Sequence, residues 1–242
     1  MVRALFINNE KIFDSYMKMA IDEALLLKAV EIETPILRFY EWNKDAVALG
    51  YFQSYEQEVS NNDVIDDNIE IFRRLTGGGV VFKDSKGEIN YSIVLPEKLL
   101  TKNISQSHEQ INKAIITGLE TLGIKPYHQG INDILLDGKK ISGNAQTRRY
   151  GGVLQHGTIL HTFDTQKMHK YLKIPKEKLE KGVGTISEVL DVSKEEIIEA
   201  IKLGFEKEFD LEFQNYELEK EVLDKAVELY DKYKSNDWIY LR

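Results

Sequence analysis

Three short stretches of the sequence carry residues whose types and spacing could do chemistry. The first covers positions 73–84, RRLTGGGVVFKD, where two arginines precede three successive glycines. Successive glycines let a backbone approach a ligand closely, and the N–H groups of such a turn can cradle anionic oxygens. Arginine can bind phosphate or carboxylate through paired hydrogen bonds. The run predicts a phosphate or carboxylate site, although a tight turn with surface arginines would give the same pattern.

The second stretch covers positions 132–145, NDILLDGKKISGNA. Its Asp-Gly pair predicts a two-residue hairpin turn. Because side chains alternate between faces along the strand that follows, Ile141 should point into the core, and Lys140 and Ser142 should share the other face. A lysine fixed in this way could neutralise developing negative charge, and Asn132 and Asp133 could hold Mg²⁺ or orient that lysine. The alternative is a solvent-facing lysine pair near a hairpin.

The third stretch is QHGTIL at positions 155–160. His156 could act as a general base, but a hydrogen-bonded strand histidine that lines a pocket fits the residue equally well. No Ser-His-Asp pattern lies near it, and the other four histidines lack the spacing of metal ligands.

Composition excludes several classes of protein. The 242 residues include no cysteine, which rules out disulfides, zinc–thiolate or iron–sulfur ligation and a cysteine nucleophile. With 40 acidic and 32 basic residues the net charge is −8, so the chain is not a general nucleic-acid binder. No apolar run approaches the roughly 20 residues that span a bilayer, and residues 1–7 are typical of a first strand rather than a signal peptide. We therefore expect a cytoplasmic protein that contacts no membrane.

Apolar residues at a spacing of three and four predict several helices, including a last one over residues 222–233. The predicted helix starts are Asp14 or Ser15, Ser107 with Gln110, and Ser193 with Glu196. No linker divides the chain. We therefore expect one domain over residues 1–242, with a helical C-terminal portion at about 193–242.

Strand signals fill the middle of the chain. Polar and apolar residues alternate over positions 88–93, which predicts a half-buried strand. The β-rich runs 36–42 and 46–49 are predicted to form a hairpin, and 153–162 is predicted to be a strand in which Gly157 is typical of a β-bulge. Because strands and helices do not alternate regularly, we expect an α+β fold. Its sheet should be mixed or largely antiparallel and flanked by helices, unlike a Rossmann fold.

Taken in order, these stretches resemble the lipoate–protein ligase branch of the biotin/lipoate ligase and octanoyltransferase superfamily. The matching motifs are RRxxGGGxVxxD at 73–84, Asn-Asp at 132–133, KISGNA at 140–145 and HGTIL at 156–160. The resemblance runs from about Phe13 to the end of the chain. The ordered set carries more weight than any single motif.

The resemblance implies a mixed sheet flanked by helices, as in biotin ligases and class II synthetases, and a two-step reaction. Lipoate attacks the α-phosphorus of ATP, with Mg²⁺ as cofactor, to give lipoyl-AMP and pyrophosphate. A lysine of a carrier then attacks the mixed anhydride and releases AMP. The implied carriers are the lipoyl domains of 2-oxoacid dehydrogenases or the H protein of glycine cleavage. A narrow hydrophobic tunnel between the sheet and the glycine run would hold the apolar tail.

Carried over motif by motif, the resemblance makes Lys140 the catalytic lysine, which stabilises the transition state by roughly 3–4 kcal/mol if it is typical of such donors. Arg74 matches an arginine beside the lipoate and adenylate. Asn132 and Asp133 match positions near Mg²⁺ and phosphate, and His156 matches a pocket-lining histidine. The other positions implied to line the acyl and nucleotide pocket are Gly77, Gly78, Gly79, Val80, Ser142, Gly143, Ala145 and Gly157.

The sequence departs from the family pattern at several places. Lys83 stands where many members have histidine, and Gln155 stands where many ligases have a second histidine. The run at 146–148, Gln-Thr-Arg, leans toward the octanoyltransferase branch. The chain ends near Arg242, without the small C-terminal domain that adenylation needs in many ligases. We therefore expect a separate accessory subunit to supply it.

Several alternatives stay open. The protein could transfer octanoyl or lipoyl groups between carriers, although the thioester route of the cysteine-dependent transferases is closed to a chain without a thiol. The long spacing between the arginines and the glycines argues against a biotin ligase. A non-catalytic subunit that binds lipoyl-AMP or a lipoyl domain would fit Lys83 and the missing C-terminal domain. Lys140 in its full motif argues against that reading.

Overall fold

The computed structural model describes residues 1–8, 13–174 and 182–242, which are built around two β-sheets. The strands are β1 (Val2–Ile7), β2 (Ile36–Tyr40), β3 (Ala46–Leu49), β4 (Glu70–Arg73), β5 (Val81–Lys83), β6 (Glu88–Pro96), β7 (Tyr127–Gln129), β8 (Asp133–Leu136), β9 (Lys139–Arg149), β10 (Gly152–Leu160) and β11 (Leu211–Asn215). The α-helices in this part of the chain are α1 (Ser15–Glu31), α2 (Tyr55–Glu58), α3 (Asn61–Asp66), α4 (Ile104–Glu120), α5 (Thr165–Tyr171), α6 (Lys194–Phe209), α7 (Lys220–Lys234) and α8 (Asn236–Ile239).

The large sheet has eight strands in the order β11-β1-β2-β6-β10-β9-β8-β7, and the small sheet has three in the order β4-β3-β5. In the large sheet β1 pairs in parallel with β2 and β11, whereas the pairs from β2 to β7 are antiparallel. The predicted α+β class, with a mixed and largely antiparallel sheet flanked by helices, is therefore confirmed.

Helices cover both faces of the large sheet. On one face α4 and α6 bury Ile115 and Ile201 in an apolar core that includes Tyr91 of β6. On the other face α1 shares a core with Val94 of β6 and with Phe72 of the small sheet. Tyr91 belongs to one core and Val94 to the other because alternate residues of a strand point to opposite faces. Full burial of one large apolar side chain stabilises the fold by roughly 1.5–3 kcal/mol.

Strand β6 is buried on both faces, so the prediction of a half-buried strand is wrong. All nine of its residues are buried, including the polar Glu88, Asn90 and Ser92. These three alternate with the apolar residues of the α4 side and therefore face the layer formed by α1 and the small sheet. A polar face can be buried when the opposing layer supplies hydrogen-bond partners. A row of buried polar residues marks this side of the sheet as a candidate site.

The predicted hairpin of the two early strands is also wrong. β2 lies in the large sheet between β1 and β6, whereas β3 is the central strand of the small sheet. The connecting residues 41–45 carry the chain from one sheet to the other. Trp42 in this connection is buried against Phe72, with ring centroids 5.0 Å apart. Burial of a large aromatic ring anchors the crossover, which propensity along the chain alone cannot show.

Two of the three predicted helix starts are confirmed. Asp14 caps α1 by accepting a backbone N–H, and Ser193 and Glu196 form the predicted capping box of α6. The start predicted at Ser107 is wrong. Asn103 caps α4 one turn earlier, and Ser107 lies within the helix, where its hydroxyl bonds the carbonyl of the preceding turn.

The C-terminal portion contains more than helices. Strand β11 follows α6 and extends the large sheet beside β1, and only then do α7 and α8 follow. The helix predicted over 222–233 is confirmed as part of α7. That the chain forms one domain stays a prediction. Within the described ranges, no helix combines the length and the apolar character needed to cross a membrane.

Candidate active site

The glycine run forms a loop between β4 and β5 that folds back over the small sheet. Gly78 has a φ of +85°, a backbone conformation that residues with side chains rarely adopt. Its carbonyl oxygen lies only 2.1 Å from where a Cβ on Gly50 would stand, so Gly50 must lack a side chain for the loop to pack here. Gly78 and Gly79 are exposed, and nothing lies within 4 Å of a Cβ built on Gly79. The loop therefore presents its backbone to an open side.

Arg74 holds this loop from beneath. Its guanidinium donates to the carbonyls of Gly77 and Gly79 at 3.0 and 2.8 Å, and to the carbonyl of Ala48 at 2.8 Å. Burial lowers the pKa of Arg74 to about 10, and repulsion from Arg73 adds to this effect. The side chain therefore keeps its charge at neutral pH and places it directly under the loop.

Arg73 makes contacts of a different kind. Its buried guanidinium donates to the carbonyls of Gly50 and Gln53 beside β3, and to those of Trp238 and Ile239 in α8. These bonds tie the C-terminal helix to the turn on which the glycine loop packs. The sequence suggested that both arginines could bind an anion directly, but in the structure both side chains bond backbone carbonyls.

The loop also reaches the large sheet. A Cβ on Gly78 would stand 3.5 Å from the Cβ of Ala145, which lies in β9 and pairs with His156 of β10. The loop, β9 and β10 therefore enclose one region, on the face of the large sheet that also carries the polar residues of β6. Of the positions implied by the resemblance, Gly78, Ala145 and His156 meet here.

Lys140 lies on the same face as Ala145, but the reason differs from the predicted alternation. The β8–β9 register shifts so that Leu135 pairs with Lys140 and Ile134 pairs with Ser142, which leaves Ile141 as the extra residue of a bulge. Since paired residues share a face, Ser142 lies with Ile134 on the α4 side, fully buried. The prediction that Lys140 and Ser142 share a face is therefore wrong, whereas the buried Ile141 is confirmed.

The Lys140 ammonium is held between two neighbours. Its Nζ is 2.7 Å from Asp133 Oδ1, and it lies 2.8 Å from where a Cβ on Gly143 would stand. The side chains of Lys140 and Asp133 are 39% and 36% exposed, so the pair is reachable without projecting into bulk solvent. Asp133 therefore orients the lysine, which is one of the two roles that the sequence left open.

The second role, binding of Mg²⁺, fits Asp133 better than Asn132. Asp133 offers a carboxylate that is 36% exposed, and Mg²⁺ is often bound by one carboxylate together with the phosphates of a nucleotide. The Asn132 amide instead donates to the Asn144 carbonyl at 2.5 Å, and the Asn144 amide donates back to the Asn132 carbonyl at 2.9 Å. Within the described ranges no three His, Asp or Glu side chains form a metal cluster.

His156 lies in a buried chain of hydrogen bonds. Its Nε2 is 2.7 Å from the Thr76 hydroxyl, and its Nδ1 is 3.1 Å from Asp22 Oδ2. Asp22 is in turn bonded to Arg38 at 2.5 Å. Burial lowers the pKa of His156, and this outweighs the opposing effect of the Asp22 carboxylate. His156 is therefore neutral at pH 7, and a satisfied histidine at the site describes it better than an exposed general base.

Gly157 does not form the predicted bulge. Its pairing with Tyr91 of β6 and Asn144 of β9 continues without a register shift. A Cβ on Gly157 would instead stand 2.0 Å from Asn144 Oδ1. The glycine is required because the Asn144 amide crosses directly over it, on the α4 side of the sheet.

Lys83 belongs to a second buried polar cluster. Its Nζ is 3.2 Å from Asn90 Oδ1 and 3.5 Å from Glu88 Oε1, and the same carboxylate accepts from the Trp42 indole at 2.7 Å. Burial lowers the pKa of Lys83 to about 8 and raises that of Glu88 to about 7. Lys83, which stands where many family members have histidine, therefore has its amine inside the molecule rather than on its surface.

Three cations converge on this region. Besides burial, repulsion from Arg74 and Lys140 lowers the pKa of Lys83. Arg74 lies under the glycine loop, Lys83 lies on the adjoining strand β5, and Lys140 lies across from them on β9. Such a concentration of positive charge attracts anions and stabilises negative charge that develops during a reaction.

Sequence reasoning missed Thr76, Asp22 and Arg38. Thr76 lies within the glycine motif, at a position where the motif requires no particular residue. Asp22 and its neighbour Glu23 are acidic residues between apolar residues of α1, and Arg38 is a charged residue in an otherwise apolar strand. A charge in such a setting is rarely buried without a partner, and this signal could have found both.

The chain is similar to known proteins in both sequence and fold. The family model for the lipoyl protein ligase A/B catalytic domain matches residues 14–206. The octanoyltransferase LipM of Moorella thermoacetica is 34% identical, with 95% of each chain covered. The octanoyltransferase LipM of Staphylococcus epidermidis is 30% identical over 93% of this chain and 94% of its own.

Solved structures are similar over almost the whole chain. A structure of the bi-partite lipoate protein ligase of Thermoplasma acidophilum, described with its E2 lipoyl domain, has a TM-score of 0.90 at 29% identity and covers 99% of this chain and 97% of its own. A lipoate-protein ligase A bound with ATP has a TM-score of 0.89 at 29% identity and covers 99% of each chain. Fold and site define an enzyme that handles lipoyl-type acyl groups. The chain belongs to the lipoyl protein ligase A/B catalytic domain family, whose members include lipoate ligases and octanoyltransferases.

Proposed function

We propose that this protein is an ATP-dependent lipoate–protein ligase, which forms an acyl-AMP and passes the acyl group to a lysine of a lipoyl domain. The observation that carries the proposal is the convergence of Arg74, Lys83 and Lys140 at the glycine loop of a chain that has no cysteine. A thioester on the enzyme needs a thiol, whereas adenylation needs positive charge to bring a carboxylate and a triphosphate together.

The first step joins two anions. The acyl carboxylate oxygen bonds the α-phosphorus, the bond from that phosphorus to the bridging oxygen breaks, and pyrophosphate leaves with the electron pair. Negative charge grows on the phosphoryl oxygens and on the leaving group. We expect Lys140, which lies beside Asp133 and Gly143, to stabilise that charge. The exposed N–H groups of the loop would supply neutral donors to the same oxygens.

Bound Mg²⁺ would neutralise phosphate charge in this step, and Asp133 is the side chain that would hold it. In the second step the amine of the carrier lysine bonds the acyl carbon, and the bond to the phosphate oxygen breaks. AMP leaves with the electron pair, and the amine loses a proton. The lipoyl domain described with the similar ligase of Thermoplasma acidophilum supports this class of acceptor. The description of that ligase as bi-partite supports a separate accessory subunit.

A second candidate is an octanoyltransferase that moves an acyl group between carriers without ATP. The names of the curated relatives favour it, since those given above are octanoyltransferases. In a cysteine-free chain such transfer would have to be direct, with the acceptor amine attacking a carrier thioester at the glycine loop.

The test gives the purified protein either ATP, Mg²⁺ and octanoate or lipoate, or an octanoyl-carrier protein without ATP. Each reaction contains a lipoyl domain, whose mass is followed. With the first mixture we expect acylation of the lipoyl domain and ATP–pyrophosphate exchange that requires octanoate or lipoate. Both are measured with and without a candidate accessory subunit. Acylation only from the octanoyl carrier would contradict the ligase proposal and support the transferase. Acylation in neither mixture would remove both.

A further inference from the structure

A chain of hydrogen bonds links Thr76, at the start of the glycine loop, to His156 and Asp22, and none of the three makes or breaks a bond in the proposed reaction. Thr76 is fully buried, and its carbonyl also accepts the N–H of Tyr51 at 2.9 Å. Both its backbone and its side chain are therefore fixed, and the next residue is Gly77. The fully buried hydroxyl is poorly placed to contact a substrate, but it can decide where the loop begins.

The donor and acceptor of each hydrogen bond between Thr76, His156 and Asp22 follow from the ionisation of the Asp22 carboxylate. Burial alone would raise the pKa of Asp22, but Arg38, His156 and Ser92 together hold it below its usual range. An ionised carboxylate only accepts hydrogen bonds, so His156 carries its proton on Nδ1. Its Nε2 then accepts from the Thr76 hydroxyl. Each bond fixes the direction of the next, from α1 through β10 to the loop.

The sheet register holds the three supporting side chains in a row. His156 pairs with Ser92, and Ser92 pairs with Arg38, across β10, β6 and β2. Paired residues share a face, so the two central strands of the large sheet and their neighbour present one rigid polar surface to the loop. A loop residue bonded to such a surface is already ordered, so it loses little conformational entropy when a ligand binds.

We propose that Thr76, His156 and Asp22 form a positioning chain, which fixes the glycine loop so that its N–H groups are oriented toward the acyl and phosphate oxygens before substrate binds. The proposal rests on the proposed function in that the loop is taken to hold the acyl and phosphate groups. None of the three residues is assigned a step in bond making. Their effect on the reaction passes through Gly77–Gly79.

The main comparison is Thr76→Val against Thr76→Ser. Valine keeps the shape of threonine and removes the hydroxyl, whereas serine keeps the hydroxyl. We expect valine to lower kcat/KM for acyl transfer by roughly tenfold or more, because it removes one hydrogen bond that keeps the loop ordered. Serine should restore most of the lost kcat/KM. Thr117→Val is the matched control, since it removes the hydroxyl bond to Glu208 between α4 and α6, on the other face of the sheet. That control should leave kcat/KM unchanged.

The pH profile separates positioning from a general structural effect. The groups that face His156 are Asp22, Arg38, Arg74, Lys83 and the Thr76 hydroxyl. Burial holds the pKa of His156 below its usual range, so the ring gains its second proton only in acid. A protonated His156 would turn Nε2 into a donor and lose the bond that Thr76 now makes to it. We expect wild type and Thr76→Ser to share an acid limb in kcat/KM that Thr76→Val lacks. Identical profiles for all three would overturn the proposal.

Hydrogen exchange of the amides at 77–79 supplies a readout that does not depend on activity. We expect faster exchange at these amides in Thr76→Val than in wild type, Thr76→Ser or Thr117→Val. Unchanged exchange would refute the positioning role even if the protein proved to be a transferase, whereas failure of both acylation assays would refute the proposed function alone. An acyl adduct on Thr76, seen by intact mass with an octanoyl carrier, would also overturn positioning, because the hydroxyl would then be a nucleophile. Should Thr76→Val not fold, Thr76→Ala against Thr76→Ser gives the same comparison.

Discussion

The sharpest prediction concerns Lys140, because the structure separates its effect on chemistry from its effect on stability. Its ion pair with Asp133 joins two side chains that are each more than a third exposed. Exposed pairs of this kind contribute about 1 kcal/mol or less to folding. Removal of one charged donor from a developing oxyanion lowers kcat by about 100- to 1,000-fold, equivalent to about 3–4 kcal/mol. Lys140→Ala should therefore lose most adenylation while its free energy of unfolding changes little.

Lys139→Ala is the matched control. Lys139 is the preceding residue of the same strand, is also exposed, and pairs with Glu188 at 3.0 Å rather than with Asp133. Lipoate- and octanoate-dependent ATP–pyrophosphate exchange would be measured for both variants, together with urea unfolding. Near wild-type exchange by Lys140→Ala, or an equal loss in Lys139→Ala, would show that the amine at 140 does not stabilise the transition state.

Three further predictions concern other parts of the site and core. Gly143→Ala places a methyl group 2.8 Å from the Lys140 amine, so exchange activity should fall at least tenfold with little loss of stability; unchanged activity would count against the observed lysine position. Lys83→Met leaves Glu88 buried without its cation and should cost about 3–5 kcal/mol by urea unfolding, part of which Lys83→Met/Glu88→Gln should recover. Burial lowers the pKa of His108 from 6.5 to about 4, so protons bind the unfolded chain first as the pH falls. The free energy of unfolding should therefore drop by up to about 3 kcal/mol between pH 6.5 and 4, and His108→Gln should flatten that drop.

Local patterns predicted the elements better than their partners. The Asp137–Gly138 turn appears with positive φ at both residues, as the hairpin prediction requires. The cap at Asp14 and the box at Ser193 are also short-range features and are confirmed. The prediction of a hairpin over 36–49 is wrong because strand propensity shows that both runs form strands but not whether they pair with each other in one sheet. Sheet membership depends on contacts far apart in sequence.

The site was predicted by motif and corrected by register. Lys140, the glycine loop and His156 all lie on the face that the motifs imply, but a single extra residue at Ile141 moves Ser142 to the opposite face. A bulge of one residue leaves no clear mark in the amino-acid pattern. The alternation over 88–93 was read correctly as two different faces, but the sequence cannot show that another layer covers the polar one. The partners of His156 in α1 and in the loop come from residues more than 75 positions away, so spacing along the chain could not reveal them.

The guanidinium of Arg73 joins helix α8 to the turn on which the glycine loop packs. It donates to backbone carbonyls at Gly50 and Gln53 and also at Trp238 and Ile239, which lie 165 and 166 positions further along the sequence than Arg73. Deleting residues from 236 onward would withdraw two of those acceptors from a buried cation, together with the contact between the Trp238 and Tyr51 rings, and would loosen the turn beneath the glycine loop.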